Sequence, residues 1–260
     1  MPYDKKSQDS EKALERVIDS WKMRRKDDDD RKSYDEVFNK QNLMRIYKLM
    51  SDGAMDKFDF TISTGKEGNV FRASTVKGEF VAVKIFRTST ATFGDMYKYV
   101  AGDQRFFGVG GGNRKRLIMV WAEKEFMNLD ALHRAGVRVP RPIARHQNII
   151  VMEYIGDESE PARQLRNVAL EDPEKTARKI LDYVAVAYRK ASLVHSDLSE
   201  FNVLMLAGEP VIIDVGQAVL KDHPNAQEWL RRDVTNIVRY FRKNDVKLDV
   251  EAELKEITKP

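Results

Sequence analysis

The chain has 260 residues, 42% of them hydrophobic, 33% charged and 9% aromatic, which suffices for one two-lobed domain or two small ones and excludes a wholly disordered chain. No run approaches the roughly 18 apolar residues of a membrane span, the polar start MPYDKKSQDSEK is no secretory signal, and the lack of cysteine excludes disulfides, thiol catalysis and zinc–thiolate centres. The expected location is therefore cytoplasmic, and the net charge of +4 permits an anionic partner without requiring one.

Before residue 58 the pattern is helical and charge-rich. Leu14, Val17, Ile18 and Trp21 share one helical face. Lys22-Met23-Arg24-Arg25-Lys26 beside Asp27 to Asp30 predicts a solvated bend. Tyr34, Val37, Phe38, Met44 and Tyr47 predict a second helix ending near Gly53. From Phe58 the period changes. Phe58 to Ile62, Val70 to Ala73 and Phe80 to Phe86 predict three short antiparallel strands, with Lys77-Gly78 as a turn. Residues 88–116 carry Gly108, Gly110, Gly111 and Gly112 and then Arg114-Lys115-Arg116, and read as a long loop with little structure, of the kind that is functional or disordered.

A helix is expected from Leu117 to Ala135, stopped by Gly136. Val139 to Pro142 is extended, because a residue before proline is pushed out of the helical region. Asn148 to Glu153 reads as a buried strand. Asp172 as N-cap and Pro173 in the first turn open a helix with the stripe Ala177, Ile180, Leu181, Val184 and Tyr188. Two short strands, Val203 to Leu206 and Val211 to Ile213, flank Gly208. Asn225 is expected to cap a helix whose face is Leu230, Val234, Ile237, Val238 and Phe241. Strands dominate from 58 to 154 and helices after that, a two-lobed α+β layout. The chain divides into an N-terminal helical extension (1–57), a strand-rich lobe with its hinge (58–155) and a helical lobe (156–260).

Three groups of residues carry chemistry. Ser63-Thr64-Gly65-Lys66-Glu67-Gly68-Asn69-Val70 lies between two predicted strands, which argues against a Rossmann turn or a Walker loop, since each must open a helix. It fits instead a glycine flap whose backbone N–H groups meet nucleotide phosphates, with Ser63, Gly65, Gly68 and Val70 at the positions of G-x-G-x-x-G-x-V; a plain hairpin turn explains it about as well. Val81-Ala82-Val83-Lys84 falls on the third strand, where a kinase places the lysine that bridges the α- and β-phosphates and pairs with a helix glutamate. Glu123 and Glu125 are candidates for that partner. Glu125 shares a stripe with Ile118, Ala122, Leu129 and Leu132 and is the better placed; Glu123 points about 200° away around the helix.

The strongest signal is His195-Ser196-Asp197-Leu198-Ser199-Glu200-Phe201-Asn202 followed by Asp214-Val215-Gly216. Asp197 and Asn202 have the spacing of H-R-D-x-x-x-x-N, and Asp214 follows a buried strand pair. One carboxylate meets the attacking hydroxyl or water, while the amide oxygen of Asn202 and the carboxylate of Asp214 hold hard Mg²⁺ ions against phosphates. His133 and His146 have no ligand partners in the pattern, and Trp121 and Trp229 read as core.

S-T-G-K-E-G-N-V, H-S-D-L-S-E-F-N and I-I-D-V-G-Q-A-V together resemble the RIO family of atypical serine/threonine protein kinases, and within it the type-1 branch, over roughly residues 35 to 243. The type-2 branch would carry a winged-helix domain before the kinase, and the 57 residues before Phe58 lack that pattern. Ser196 replaces the catalytic-loop arginine, and only Gln217 to Pro224 separate Gly216 from the next helix, with no A-P-E motif. The resemblance thus implies a protein-kinase-like fold with a truncated C-terminal lobe, no activation segment and extra N-terminal helices. It also implies ATP and Mg²⁺ as cofactors, with Mn²⁺ as an alternative, serine autophosphorylation, ATPase activity and action on the pre-ribosomal small subunit and its RNA. In the kinase pattern Met152 guards the back of the adenine pocket, and the Glu153 C=O and Ile155 N–H bond the adenine edge. Members of the family are thought to phosphorylate the aspartate at the position of Asp214.

Two other readings compete. A small-molecule phosphotransferase uses similar motifs, but it usually needs a larger helical region than the 46 residues beyond Asp214. A non-catalytic RNA-binding scaffold is suggested by the sequence pI of about 9.0 and by Arg114-Lys115-Arg116, yet every expected catalytic residue is present.

Overall fold

The computed structural model describes residues 37–88, 93–108 and 112–259. The face formed by Leu14, Val17, Ile18 and Trp21, the opposed charge blocks, Tyr34, Gly110 and Gly111 lie outside the described residues. Two compact units are present. Among the described residues the first comprises 37–88, 114–123 and 142–154, and the second 93–108, 112–113, 124–141 and 155–259.

In the first unit, helix α1 (Lys40–Ser51) starts at Asn39, whose side chain accepts from the Asn42 N–H at 3.1 Å. The expected second helix is thus interrupted at Phe38–Asn39, and the new cap resets its phase. The buried face is Asn42, Ile46 and Leu49, while Met44 is 49% exposed and Tyr47 half-buried, against the sequence expectation. Behind α1 lies a five-stranded antiparallel sheet of β1 (Lys57–Thr64), β2 (Gly68–Ser74), β3 (Phe80–Phe86), β4 (Pro142–His146) and β5 (Ile149–Glu153), in the order β1-β2-β3-β5-β4. β4 goes beyond the extended stretch expected at 139–142. Its proline stands first on an edge strand, where no ladder N–H is required of it.

Residues opposite each other in the ladder share a face. Phe71, Val83 and Val151 line up on one face and join Ala73, Val81, Ile85 and Ile149 in a core with Ile46 and Leu49 of α1. Val70 with Lys84, and Ala82 with Met152, line up on the other. The helix is also tied to the sheet by polar groups. Asn148, fully buried before β5, donates to the Phe86 C=O at 2.7 Å and to Asn42 Oδ1 at 3.2 Å, and accepts from Arg45 Nη1 at 2.6 Å.

The second unit contains α2 (Phe93–Ala101), a 3₁₀ turn (Gln104–Phe106), and the C-terminal part of α3 (Arg114–Ala135), whose residues up to Glu123 group with the first unit. It also contains α4 (Pro173–Lys190), α5 (Ala226–Arg242) and α6 (Val250–Ile257). β6 (Arg163–Gln164), β8 (Val203–Leu206) and β9 (Glu209–Ile212) form one small sheet; β7 (Leu193–Val194) pairs with β10 (Val219–Leu220).

The stretch expected to be a loop at 88–116 therefore holds a helix and a helical turn. Met96, Tyr99 and Val100, at i, i+3 and i+4, bury an apolar stripe that the neighbouring glycines obscure in the sequence. Asp172 caps α4 as expected, accepting from the Lys175 N–H at 2.9 Å, and Ala177, Ile180, Leu181 and Val184 are buried beneath it. Asn225 makes no side-chain cap bond; its backbone N–H donates to His223 Nδ1 at 3.2 Å. The short α6 was not expected. Asp249 caps it, and Glu253 and Glu251 pair with Arg178 and Arg231. Among the described residues no helix is long and apolar enough to cross a membrane.

Replacing Asn148 by leucine would leave the Phe86 carbonyl and the Arg45 guanidinium without this partner. We expect a loss of about 2 kcal/mol or more in unfolding free energy, measured by urea denaturation. A loss below about 0.5 kcal/mol would show that packing alone seats α1 on the sheet.

Candidate active site

The glycine segment forms the tip of the β1–β2 hairpin. The Gly65 N–H donates to the Gly68 C=O at 2.9 Å, and the Arg87 N–H donates to the Glu67 C=O at 2.9 Å, so the tip is closed from both sides. A Cβ at Gly68 would stand 2.4 Å from the Ile85 carbonyl oxygen, so only glycine lets β2 approach β3 this closely. Ser63, Thr64, Gly65 and Lys66 are exposed at the tip, with Glu67 half-buried behind them. Val70, Ala82, Lys84 and Met152 follow on one face of the sheet. Lys84 is 8% exposed, and its ammonium lies 5.1 Å from the Phe86 ring centroid. The strand leaves the first unit after Glu153-Tyr154. Ile155 opens the adjoining segment of the second unit, and its C=O accepts from the Ala162 N–H at 3.0 Å.

The two glutamate candidates on α3 part company. Glu123 is half-exposed and lies 3.6 Å from Arg145 of β4. Glu125 is 2% exposed, on the same stripe as the buried Ile118, Ala122, Leu129 and Leu132.

In the second unit Asp197, Asn202 and Asp214 belong to two loops that hold each other. The Asn202 amide donates to the Asp197 C=O at 2.8 Å and lies 3.4 Å from its Oδ2. The Ile213 N–H donates to the Asn202 C=O at 3.0 Å, and His195 Nε2 donates to the Ile213 C=O at 3.0 Å. The Asp197 and Asp214 side chains are exposed, whereas Ser196, Leu198, Val215 and Gly216 beside them are buried.

Both loops pass through left-handed backbone, at Ser196 (φ 68°) and at Asp214 (φ 57°). Such residues persist where their surroundings over-determine them. Asp233 of α5, 1% exposed, accepts from the Ser196 N–H at 2.7 Å and from the Leu198 N–H at 2.9 Å, one on each carboxylate oxygen. Arg232 donates to the Ser196 C=O, and Asn236 donates to the Leu198 C=O at 3.1 Å. Burial pushes Asp233 up to about 7, against the pull of the two N–H donors and Arg232. The turn after Asp214 is held from α3. Asn128 donates to the Val215 and Ala218 carbonyls at 2.8 and 3.0 Å, and Lys124 donates to the carbonyls of Gly216, at 3.0 Å, and Ala218. Burial drives Lys124 down to about 7, with the Asp103 carboxylate opposing it.

Asp233, Arg232, Asn236, Lys124 and Asn128 escaped the sequence reading. The available signal was position. Asp233 stands between Leu230 and Val234 on the apolar stripe of α5, and Lys124 and Asn128 continue the buried Leu117–Trp121 row of α3. A charge on a buried stripe marks a group with fixed partners.

Among the described residues the Nδ1 of the His195 ring is buried without a hydrogen-bond partner, and burial lowers its pKa below the ordinary value of 6.5. The folded chain then binds fewer protons than the unfolded chain below about pH 6.5, so the stability that neutral His195 supplies is lost as pH falls through that range. The difference in unfolding free energy between wild type and His195→Asn should shrink from about pH 7 to about pH 5, measured by denaturant titration at each pH. A constant difference would mean that the ring titrates alike in the folded and unfolded chain.

The RIO domain matches residues 69–254. The chain is 43% identical over 235 residues to the RIO-type serine/threonine-protein kinase Rio1 of Haloferax volcanii, across 90% of this chain and 80% of that protein. It is 39% identical over 257 residues to the human serine/threonine-protein kinase RIO1, across 96% of this chain and 44% of that protein, so it spans less than half the human relative's length. The crystal structure of the Rio2 kinase–ADP/Mg²⁺–phosphoaspartate complex from Chaetomium thermophilum has the same fold, with a TM-score of 0.66 at 24% identity over 86% of this chain and 68% of that one. On these matches the chain belongs to the RIO domain family, in the type-1 branch of its serine/threonine-protein kinases.

Proposed function

We propose that the chain transfers the γ-phosphoryl group of ATP, with Mg²⁺ or alternatively Mn²⁺, to a serine or threonine hydroxyl and, on Asp214, to itself. The observation that carries this reading is the paired-loop arrangement of Asp197, Asn202 and Asp214. The donor set suits a hard cation. The Asn202 NH₂ is committed to Asp197, which leaves the amide oxygen as its donor atom, and Asp214 adds a carboxylate. A bound Mg²⁺ would neutralise phosphate charge there. Asp197 orients the acceptor hydroxyl and takes its proton as the oxygen bonds to phosphorus and ADP departs.

The remaining proposed roles follow the hairpin, the sheet face, the segment after it and helix α3. The backbone of Ser63 to Gly68 meets the phosphates, and Lys84 bridges two of them. Val70, Ala82 and Met152 enclose the adenine, with the Glu153 C=O and Ile155 N–H as edge partners. Glu125, the buried candidate, is proposed as the helix glutamate; Glu123 is engaged with Arg145. The proposed setting is late maturation of the small ribosomal subunit, with its RNA as a partner. The net charge of +4 suits that partner, and ATP turnover with and without immature subunits tests it.

Asp197→Ala should lower phosphoryl transfer by about 10²–10⁴-fold while nucleotide affinity stays near wild type. Asn202→Ala and Asp214→Ala should weaken the Mg²⁺-dependent part of nucleotide binding, read by titrating Mg²⁺ against affinity. More than half of wild-type turnover in the first variant, or unchanged metal dependence in both others, would sink the assignment.

In the self-transfer, a carboxylate oxygen of Asp214 attacks the γ-phosphorus, ADP leaves, and water later cleaves the acyl phosphate to inorganic phosphate. The phosphoaspartate complex of the Rio2 relative supports this route. We expect a hydroxylamine-labile phosphoryl adduct that disappears in Asp214→Asn. High turnover on arbitrary peptides with no such adduct would favour an ordinary protein kinase.

A further inference from the structure

Asp214 sits at φ 57°, ψ 52° and opens the helical turn Val215–Gln217, so the backbone of that turn fixes where its side chain leaves the chain. That turn is fastened by a buried polar chain with no part in the roles above. Lys124 and Asn128 stand one helical turn apart on α3, both 0% exposed, and their four hydrogen bonds take the carbonyls of Val215, Gly216 and Ala218. Asn128 Oδ1 in turn accepts from Arg105 Nη1 at 2.9 Å. Arg105 is held by Asp103 through two bonds, Nε to Oδ1 at 2.9 Å and Nη2 to Oδ2 at 2.6 Å, with Asp103 itself 2% exposed. A continuous hydrogen-bonded path therefore runs from the helical turn after α2 to the backbone that carries Asp214.

Burying a lysine, an amide and most of an arginine in this way is weak support for stability, because apolar side chains of like volume usually serve as well. What the polar set supplies is direction. Lys124 and Asn128 each engage two carbonyls, and three fixed carbonyls within four residues leave the turn a single conformation. We propose that Lys124, Asn128 and Arg105 are positioning residues for Asp214. Through them the 103–105 segment tunes the metal affinity of the nucleotide site. The inference rests on reading Asp214 as a metal ligand and adds residues to that site.

The test compares Arg105→Met, Lys124→Met and Asp214→Asn in the full chain. ADP affinity is measured in EDTA and across a Mg²⁺ titration, and amide exchange is followed over residues 213–218. Arg105 is the safer variant, since its side chain is 19% exposed and its loss leaves α3 whole. Arg105→Met should keep its ADP affinity in EDTA, need about tenfold more Mg²⁺ for half-maximal effect, and exchange faster at 214–218; Arg105→Lys should recover part of the metal affinity. A lower melting temperature in both methionine variants, with the Mg²⁺ midpoint within about twofold of wild type, would overturn the inference. If Asp214→Asn itself keeps the wild-type Mg²⁺ response, the metal reading has failed. Exchange at 214–218 then decides the positioning claim: faster exchange in Arg105→Met upholds the path to the turn, and unchanged exchange refutes it.

Discussion

The buried carboxylate of Asp233 is the constraint on which the catalytic loop depends. It engages two backbone N–H groups, those of Ser196 and Leu198, that flank Asp197 and cannot reach water. Each would cost about 1–3 kcal/mol if left unpaired. In satisfying them Asp233 holds Ser196 in the left-handed region, which buries Leu198 and turns Asp197 outward. From there the Asn202 amide reaches back to Asp197, and the Asn202 carbonyl receives the Ile213 N–H immediately before Asp214.

The same device recurs at each point where irregular backbone must hold one shape. Asn148 receives the last carbonyl of β3 and ties it to α1. Lys124 and Asn128 receive the carbonyls after Asp214. In all three cases a buried polar side chain, on a helix or, for Asn148, in the turn between β4 and β5, meets backbone groups that no ladder or helix satisfies. The apolar stripes beside them, such as Leu230, Val234 and Ile237, supply burial and rigidity but no direction.

Truncation follows from the same economy of parts. Between Gly216 and α5 there is only the end of a helical turn, the two-residue strand β10 and a short connection. The loop that a phosphorylated activation segment would organise is organised instead by α5. Ser196 needs no cation to read a phosphate, because its backbone is already clamped by Asp233 and Arg232.

The periodic parts of the fold were legible in the sequence because they are local. Phe80 to Phe86, Ala177 to Val184 and Leu230 to Phe241 announce their elements by spacing alone, and the catalytic spacings mark Asp197, Asn202 and Asp214 because both loops are continuous in the chain. Local pattern failed where glycines or a cap interrupted it. It missed α2 among the glycines near residue 108, it carried the α1 face through the break at Asn39, and it left α6 unseen in a short charged stretch. Only the tertiary structure decided that Lys124 and Asn128 grip a turn 87 to 94 residues away, and that Asp233 is the anchor of a loop 35 residues earlier. The physical reason is that a hydrogen-bond partner far along the chain leaves no period in the sequence; it leaves only a polar residue where an apolar one is expected.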